Sequence, residues 1–237
     1  IGRNKEDKKK FGNRGLIYLG KGYVKMGNYT SLSNKIWMDV ARSHVILVAG
    51  KRGSGKSYSL GVIAEEISNL PEEVRQNIAP LIFDTMGIFW TMKYKNEKDA
   101  ELLENWDLKA KNLPVNLWVP FGYFEEYEKR EIPVDRKFAL AVSELDIEDW
   151  LAIFNLDMMS PVSILIQRIL SNLSDSEFDI SDIIENIRND KDGDEDSKKS
   201  SVSLFEAADS WKVFASKNEK PTRISELVVA GTTSVLD

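Results

Sequence analysis

From Gly15 to Asp39 short apolar runs are separated by glycines. Leu16-Ile17-Tyr18-Leu19 and Tyr23-Val24-Lys25-Met26 are broken by Gly20, Gly22 and Gly27, and Lys35-Ile36-Trp37-Met38 comes next. β-branched and aromatic residues between such breakers predict strands. Residues 1–40 thus read as an arm and a small β module, too short to close a barrel alone and so packed on the neighbouring domain or part of a larger barrel. Val45-Ile46-Leu47-Val48 is apolar at every position, the pattern of a strand buried on both faces. Behind it Leu60, Ile63, Ala64 and Ile67 recur at helical spacing, predicting a helix from Lys56 to Asn69 that stops near Pro71. Ala79 to Asp84 reads as a second buried strand and Asn116 to Pro120 as a third. Phe138 to Val142 is a further apolar segment, and Glu125 to Glu131 a charged hairpin or loop. Beyond Ile147 the period changes. Val162, Leu165, Ile166, Ile169, Leu170 and Leu173 form one helical stripe, and Ser181 reads as the N-cap of a helix carrying Ile183, Ile184 and Ile187. Leu204 to Phe214 predicts another short helix, and Leu227-Val228-Val229 and Ser234-Val235-Leu236 predict strands around Gly231-Thr232-Thr233. The alternation predicts an α/β domain over residues 41–237, interrupted by a helical insertion at about 145–220.

Composition narrows the class. With 237 residues, 42% hydrophobic and 10% aromatic, the chain has room for one large α/β domain and an attached smaller piece. It has no cysteine, hence no disulfide framework or thiolate metal site. The absence of a signal peptide and of a long apolar span predicts a cytoplasmic protein without membrane contact. Lys and Arg number 32 against 38 Asp and Glu, a net charge of −6, so no global positive field draws in nucleic acid and any DNA contact is local. The run Lys5-Glu6-Asp7-Lys8-Lys9-Lys10 reads as a solvated arm. Asp190 to Asp196 invites a calcium reading that fails on spacing, since an EF-hand loop needs Gly at its sixth position and Gly193 would be fourth. Residues 189–201 are therefore expected to form a mobile acidic loop. His44 is the single histidine, so neither a catalytic triad nor a histidine-rich metal site is indicated. A chain that opens on Ile1 and stops on the strand-like Ser234-Val235-Leu236-Asp237 reads as part of a longer polypeptide.

The chemistry is concentrated at Gly50-Lys51-Arg52-Gly53-Ser54-Gly55-Lys56-Ser57, which fits G-x-x-x-x-G-K-[ST] at every fixed position. Gly50 and Gly55 allow backbone angles closed to other residues and a close approach of the main chain to a ligand. The loop amides and the positive end of the following helix would face phosphates. Lys56 would place its charge on the outer phosphates, the Ser57 hydroxyl would bind Mg²⁺, and Tyr58 continues the ATP-binding stretch into the helix. Asp84, at the carboxyl end of a strand, is placed either to reach the metal or an attacking water, or to cap the turn Thr85-Met86-Gly87. Phe89, Trp90 and Tyr94 beside Lys93 and Lys95 fit either a local nucleic-acid contact or core packing with a wet edge.

Taken together these segments resemble the HerA–FtsK superfamily of P-loop ATPases, more closely its HerA-like branch. A β module precedes the core, and His44-Val45 stands before the loop strand, similar to the family's R-H-V lead-in. Asp84-Thr85-Met86-Gly87-Ile88-Phe89 is similar to D-P-H-G-E-Y, with Met86 and Ile88 departing from it, and a helical insertion precedes Ser234-Val235-Leu236-Asp237, similar to S-V-I-D. The resemblance implies a RecA/FtsK-like core and a hexameric DNA translocase or helicase with ATP and Mg²⁺ between neighbours. It also implies a nuclease partner of the NurA kind or another effector. It implies that the Walker B acids and the arginine finger lie beyond Asp237, leaving the C-terminal part of the core missing. Two other readings stand beside it: a nucleotide or small-molecule kinase using Lys56 and Asp84, and a non-catalytic, ATP-gated assembly module.

Overall fold

The computed structural model describes residues 1–173, 177–217 and 219–237, the side chain of Ser33 excepted; residues 174–176 and 218 of the expected helical insertion lie outside it. Along the chain run α1 (Lys5–Phe11), β1 (Leu16–Met26), β2 (Tyr29–Asp39), α2 (Lys56–Ser68), α3 (Glu72–Arg75), β3 (Leu81–Phe83), α4 (Ala100–Asn105) and β4 (Val115–Pro120). Then come α5 (Phe124–Lys129), β5 (Arg136–Phe138), α6 (Ile147–Phe154), α7 (Pro161–Leu173), α8 (Ile180–Asn189), α9 (Glu195–Ser210), α10 (Ile224–Leu227) and β6 (Thr233–Leu236). The chain packs as two compact units, Ile1–Leu117 with Leu227–Asp237, and Trp118–Glu226.

In the first unit β1 and β2 form one antiparallel ribbon, longer than the separate apolar runs predict because bulges carry the ladder past Gly20 and Gly22. Ile17 and Met38 at its base pack with Leu70 against Ile63 and Ile67, which fastens the ribbon to α2. β3 pairs in parallel with β6, and the Thr233 amide donates to the Pro114 carbonyl at the start of β4. The Lys5–Lys10 run is solvated as expected, all but Asp7 being exposed, but it is a helix. Asn4 caps it at 2.7 Å, and Asp7 binds Arg42 at 3.0 Å. Just before it, Arg3 is paired with buried Asp39 at 2.6 Å. Burial raises the Asp39 pKa, but the hydrogen bonds from Arg3 and the Ala41 amide outweigh it, leaving the carboxyl below its ordinary value.

A second departure concerns Val45–Val48. The run forms no strand, and Val45 and Leu47 are 104% and 89% exposed. An apolar run becomes a strand only where its amides and carbonyls find a ladder. Among the described residues no strand pairs with it. Leu227-Val228-Val229 likewise forms no strand: Leu227 ends α10, and the Thr232 amide closes a turn on Val229.

In the second unit β5 pairs in parallel with Trp118–Pro120 of β4. Since β4 runs from one unit into the other, the strand order is β3-β6-β4-β5, a mixed α/β arrangement with a parallel four-stranded sheet. The Glu125–Glu131 stretch is largely the helix α5, supported by i,i+4 pairs of Glu125 with Lys129 and Glu126 with Arg130. The helical core is built on Trp150, Leu165, Ile166, Ile169, Ile183, Ile187 and Phe205. Asp179, not Ser181, caps α8, within a reciprocal capping box with Asp182. The expected acidic loop is also replaced. Asp194 caps α9, whose Ser197, Ser201, Phe205 and Ala208 recur at helical spacing and are buried. The short remainder is held by Asp190, which accepts from Arg168 at 2.6 Å and from the Gly193 amide at 2.6 Å.

Candidate functional site

The loop Gly50–Gly55 leads straight into α2, and the helix begins at Lys56 as its spacing predicts. Gly53 and Gly55 lie in the left-handed region at φ +78° and +88°, which a side chain rarely adopts. At Gly50 the demand is for space: a Cβ there would fall on Ser54 Oγ and 3.2 Å from Ser54 Cβ. The Ser54 amide donates to the Lys51 carbonyl at 3.2 Å, and Lys56 Nζ donates to the same carbonyl at 3.0 Å. The loop is therefore curled around a carbonyl that its own lysine caps.

The start of α2 is distinctive in what it lacks. α6, α8 and α9 begin with Asp side chains accepting first-turn amides. α2 begins at Gly55 with no side-chain cap and no acid in its first turn. Its first-turn amides and dipole are left for an external anion. Lys51, Arg52 and Tyr58 are exposed around it, as is Ser57. Lys56 and the Ser57 hydroxyl stand at that helix end, a cation and an oxygen donor of the kinds that a phosphate and its Mg²⁺ would require. Elsewhere on α2, Glu65 has its pKa raised by burial and by Glu66, with Lys111 opposing.

Asp84 closes β3 and is 4% exposed. One carboxylate oxygen accepts the Met86 amide at 3.1 Å, and the other accepts the Ile88 and Phe89 amides at 2.7 Å each. The carboxylate is engaged in its own turn, the second of its two sequence readings. Gly87, at φ +61°, packs against the Asp237 carboxylate, 3.3 Å from where its Cβ would stand. Asp84 and Asp237 thus end neighbouring parallel strands, joined by the Asp84 amide on the Leu236 carbonyl at 2.7 Å. Asp237 was no site candidate in the sequence; the available signal was an acid directly after an apolar strand. The residues Phe89–Lys93 form a 3₁₀ turn with Phe89 buried and Trp90 edge-on to Tyr94. His44 Nε2 lies 3.7 Å from the buried Asp39, a structural position.

Among the described residues no group of three or more His, Cys, Asp or Glu could hold a metal. No helix is long and apolar enough to cross a membrane. A cavity of about 790 Å³ in the second unit, lined among others by Glu177, Asp179, Lys217 and Arg223, holds none of the predicted site residues. Residues 24–233 match the family described as Helicase HerA, central domain. No curated protein matches the chain.

Proposed function

The chain belongs to the HerA central-domain family, a family of P-loop ATPase motors, and we propose that it binds ATP at Gly50–Tyr58 and serves as a subunit of a DNA-translocating motor. The observation that carries this is the uncapped, acid-free start of α2 behind a glycine loop whose lysine donates to a loop carbonyl. An incoming triphosphate offers Lys56 a stronger, charge-assisted partner than that carbonyl. The loop amides and Lys56 would hold the phosphates, and Ser57 would hold Mg²⁺, whose chemistry is neutralising charge as the terminal phosphoryl group departs. Asp84 accepts three amides and shapes its turn, and the oxygen that accepts only the Met86 amide keeps a lone pair for a metal-bound water. Assembly as a hexameric ring, DNA as the polymer and a NurA-like nuclease partner belong to the same proposal and rest on family likeness, and a cytoplasmic location is proposed with them.

The test is a titration with a fluorescent ATP analogue, with and without Mg²⁺, on the native chain and on Lys56→Ala. A charged hydrogen bond is worth about 1.5–3 kcal/mol, so affinity should fall roughly 10- to 150-fold. Equal affinity of the two proteins would overturn the assignment. On the full-length protein, DNA-stimulated hydrolysis supports the motor, whereas turnover with a small acceptor or binding without turnover supports one of the other readings.

A further inference from the structure

From Lys8 to Met38 the chain carries no Asp or Glu, although the protein as a whole is acidic. The β1–β2 ribbon occupies most of that stretch, and its register sorts the side chains. Tyr18 stands opposite Trp37, Lys21 opposite Lys35, Tyr23 opposite Leu32 and Lys25 opposite Thr30. Trp37 and Lys35 are two apart on β2, Lys21, Tyr23 and Lys25 alternate on β1, and the extra β2 residue at the register shift between Lys21 and Tyr23 keeps Leu32 and Thr30 with them, so all these pairs share one face. The bulge at Leu19 is what brings Tyr18 onto that face with Lys21. The opposite face carries Ile17, Met38, Ile36, Val24 and Met26, and its base packs on α2.

One feature of the first face is unfavourable by itself and would be relieved by an anion. Lys21 and Lys35 are directly opposed in the ladder, a like-charge pairing that destabilises a sheet. Each ammonium is parked over an aromatic ring, Lys35 at 5.7 Å from Tyr18 and Lys21 at 5.2 Å from Trp106. At the ribbon's base two acids approach this face: Glu66 accepts the Tyr18 amide, and the charge of Asp107 reaches Tyr18. Towards the tip Tyr23 is 71% exposed, and nearer the base Trp37 is 41% exposed with its ring 5.4 Å from that of Tyr18.

We infer that this face of the ribbon is a contact for single-stranded nucleic acid, with Lys21, Lys25 and Lys35 on phosphates and Tyr23 and Trp37 stacked on bases. A row of cations interleaved with exposed rings meets the two demands of an unpaired strand, a tracked backbone and platforms for splayed bases. Duplex DNA offers the phosphates but hides its base faces, so the rings favour the single strand. The inference rests on the nucleic-acid part of the proposed function and not on its nucleotide part.

The experiment measures binding of a fluorescent oligothymidylate to the native chain across a salt series, alongside the ATP-analogue titration. For Lys21→Ala/Lys25→Ala/Lys35→Ala the slope of log K against log salt should shrink by about 2, near 0.7 for each phosphate that is no longer neutralised. Tyr23→Ala should weaken binding by roughly 5- to 150-fold, the range for one stacked base, with the salt slope retained. Both variants should bind the ATP analogue as the native chain does, which separates failure here from failure of the phosphate-loop assignment. An unchanged slope in the triple variant, native affinity in Tyr23→Ala, or binding of duplex in preference to the single strand would overturn the inference.

Discussion

Gly50→Ala is the sharpest probe of the phosphate loop, because the conflict it creates is confined to one neighbour. The added Cβ falls on Ser54 Oγ, 3.2 Å from Ser54 Cβ and 3.8 Å from Lys56 Cγ. The backbone at Gly50 is not left-handed, so no strain arises from φ itself. Relief requires either Ser54 off its rotamer, at about 0.5–1.5 kcal/mol, or a moved backbone at Ser54. That backbone shares the Lys51 carbonyl with Lys56 Nζ, so shifting it displaces the ammonium as well. The rotamer cost alone predicts roughly 2- to 12-fold weaker nucleotide binding, and the backbone route more. Stability should barely change, within about 0.5 kcal/mol, since the loop is exposed. Titration of a fluorescent ATP analogue into the native chain, Gly50→Ala, Ser54→Ala and the double variant reads the effect, with thermal melts as control. Ser54→Ala removes the clashing oxygen, so Gly50→Ala should weaken binding far less in that background, a non-additive cycle between touching residues. Native affinity in Gly50→Ala, or an equal loss in both backgrounds, would refute the reasoning.

Two further outcomes concern the second unit. Burial raises the Asp179 pKa, but hydrogen bonds from Ser181 and from the Asp182 and Lys217 amides outweigh it, so the folded value lies below the ordinary one. A depressed carboxyl stabilises above the unfolded pKa of about 3.9, and that stabilisation disappears as pH falls through the folded value. Asp179→Asn should therefore narrow the gap between urea midpoints at pH 7 and pH 3; an unaltered gap would contradict this. Phe205 is fully buried, with ring centroids 4.9 Å from Trp150 and 5.2 Å from Phe154. Phe205→Ala should destabilise by about 3–5 kcal/mol, lowering a thermal midpoint by roughly 6–20 °C, and a drop under about 2 °C would show the helical core to be far more yielding than its packing indicates.

Local chemistry determined a good part of this protein. The glycines and Lys56-Ser57 announce an anion loop at a helix start because the backbone freedom and the charge reside in those residues themselves. The stripe of α7 and the strands β3, β4 and β6 arise from apolar spacing within one segment. Other outcomes were decided by partners distant in sequence. Val45–Val48 has strand composition, but a ladder is a property of two segments. The lysine-rich start became a helix beside Asp39 and Arg42, and the acidic stretch at 194–201 became α9 because Ser197 and Ser201 continue a buried face that polarity alone conceals. Asp84 was legible as an acid at a strand end, but only folding showed three amides converging on it. Cross-strand register, which sets Lys21 against Lys35, depends on bulges that no single strand's sequence reports. Spacing within a segment fixes periodicity and charge, whereas pairing, burial and the partner of each polar group are set by where the rest of the chain comes to lie.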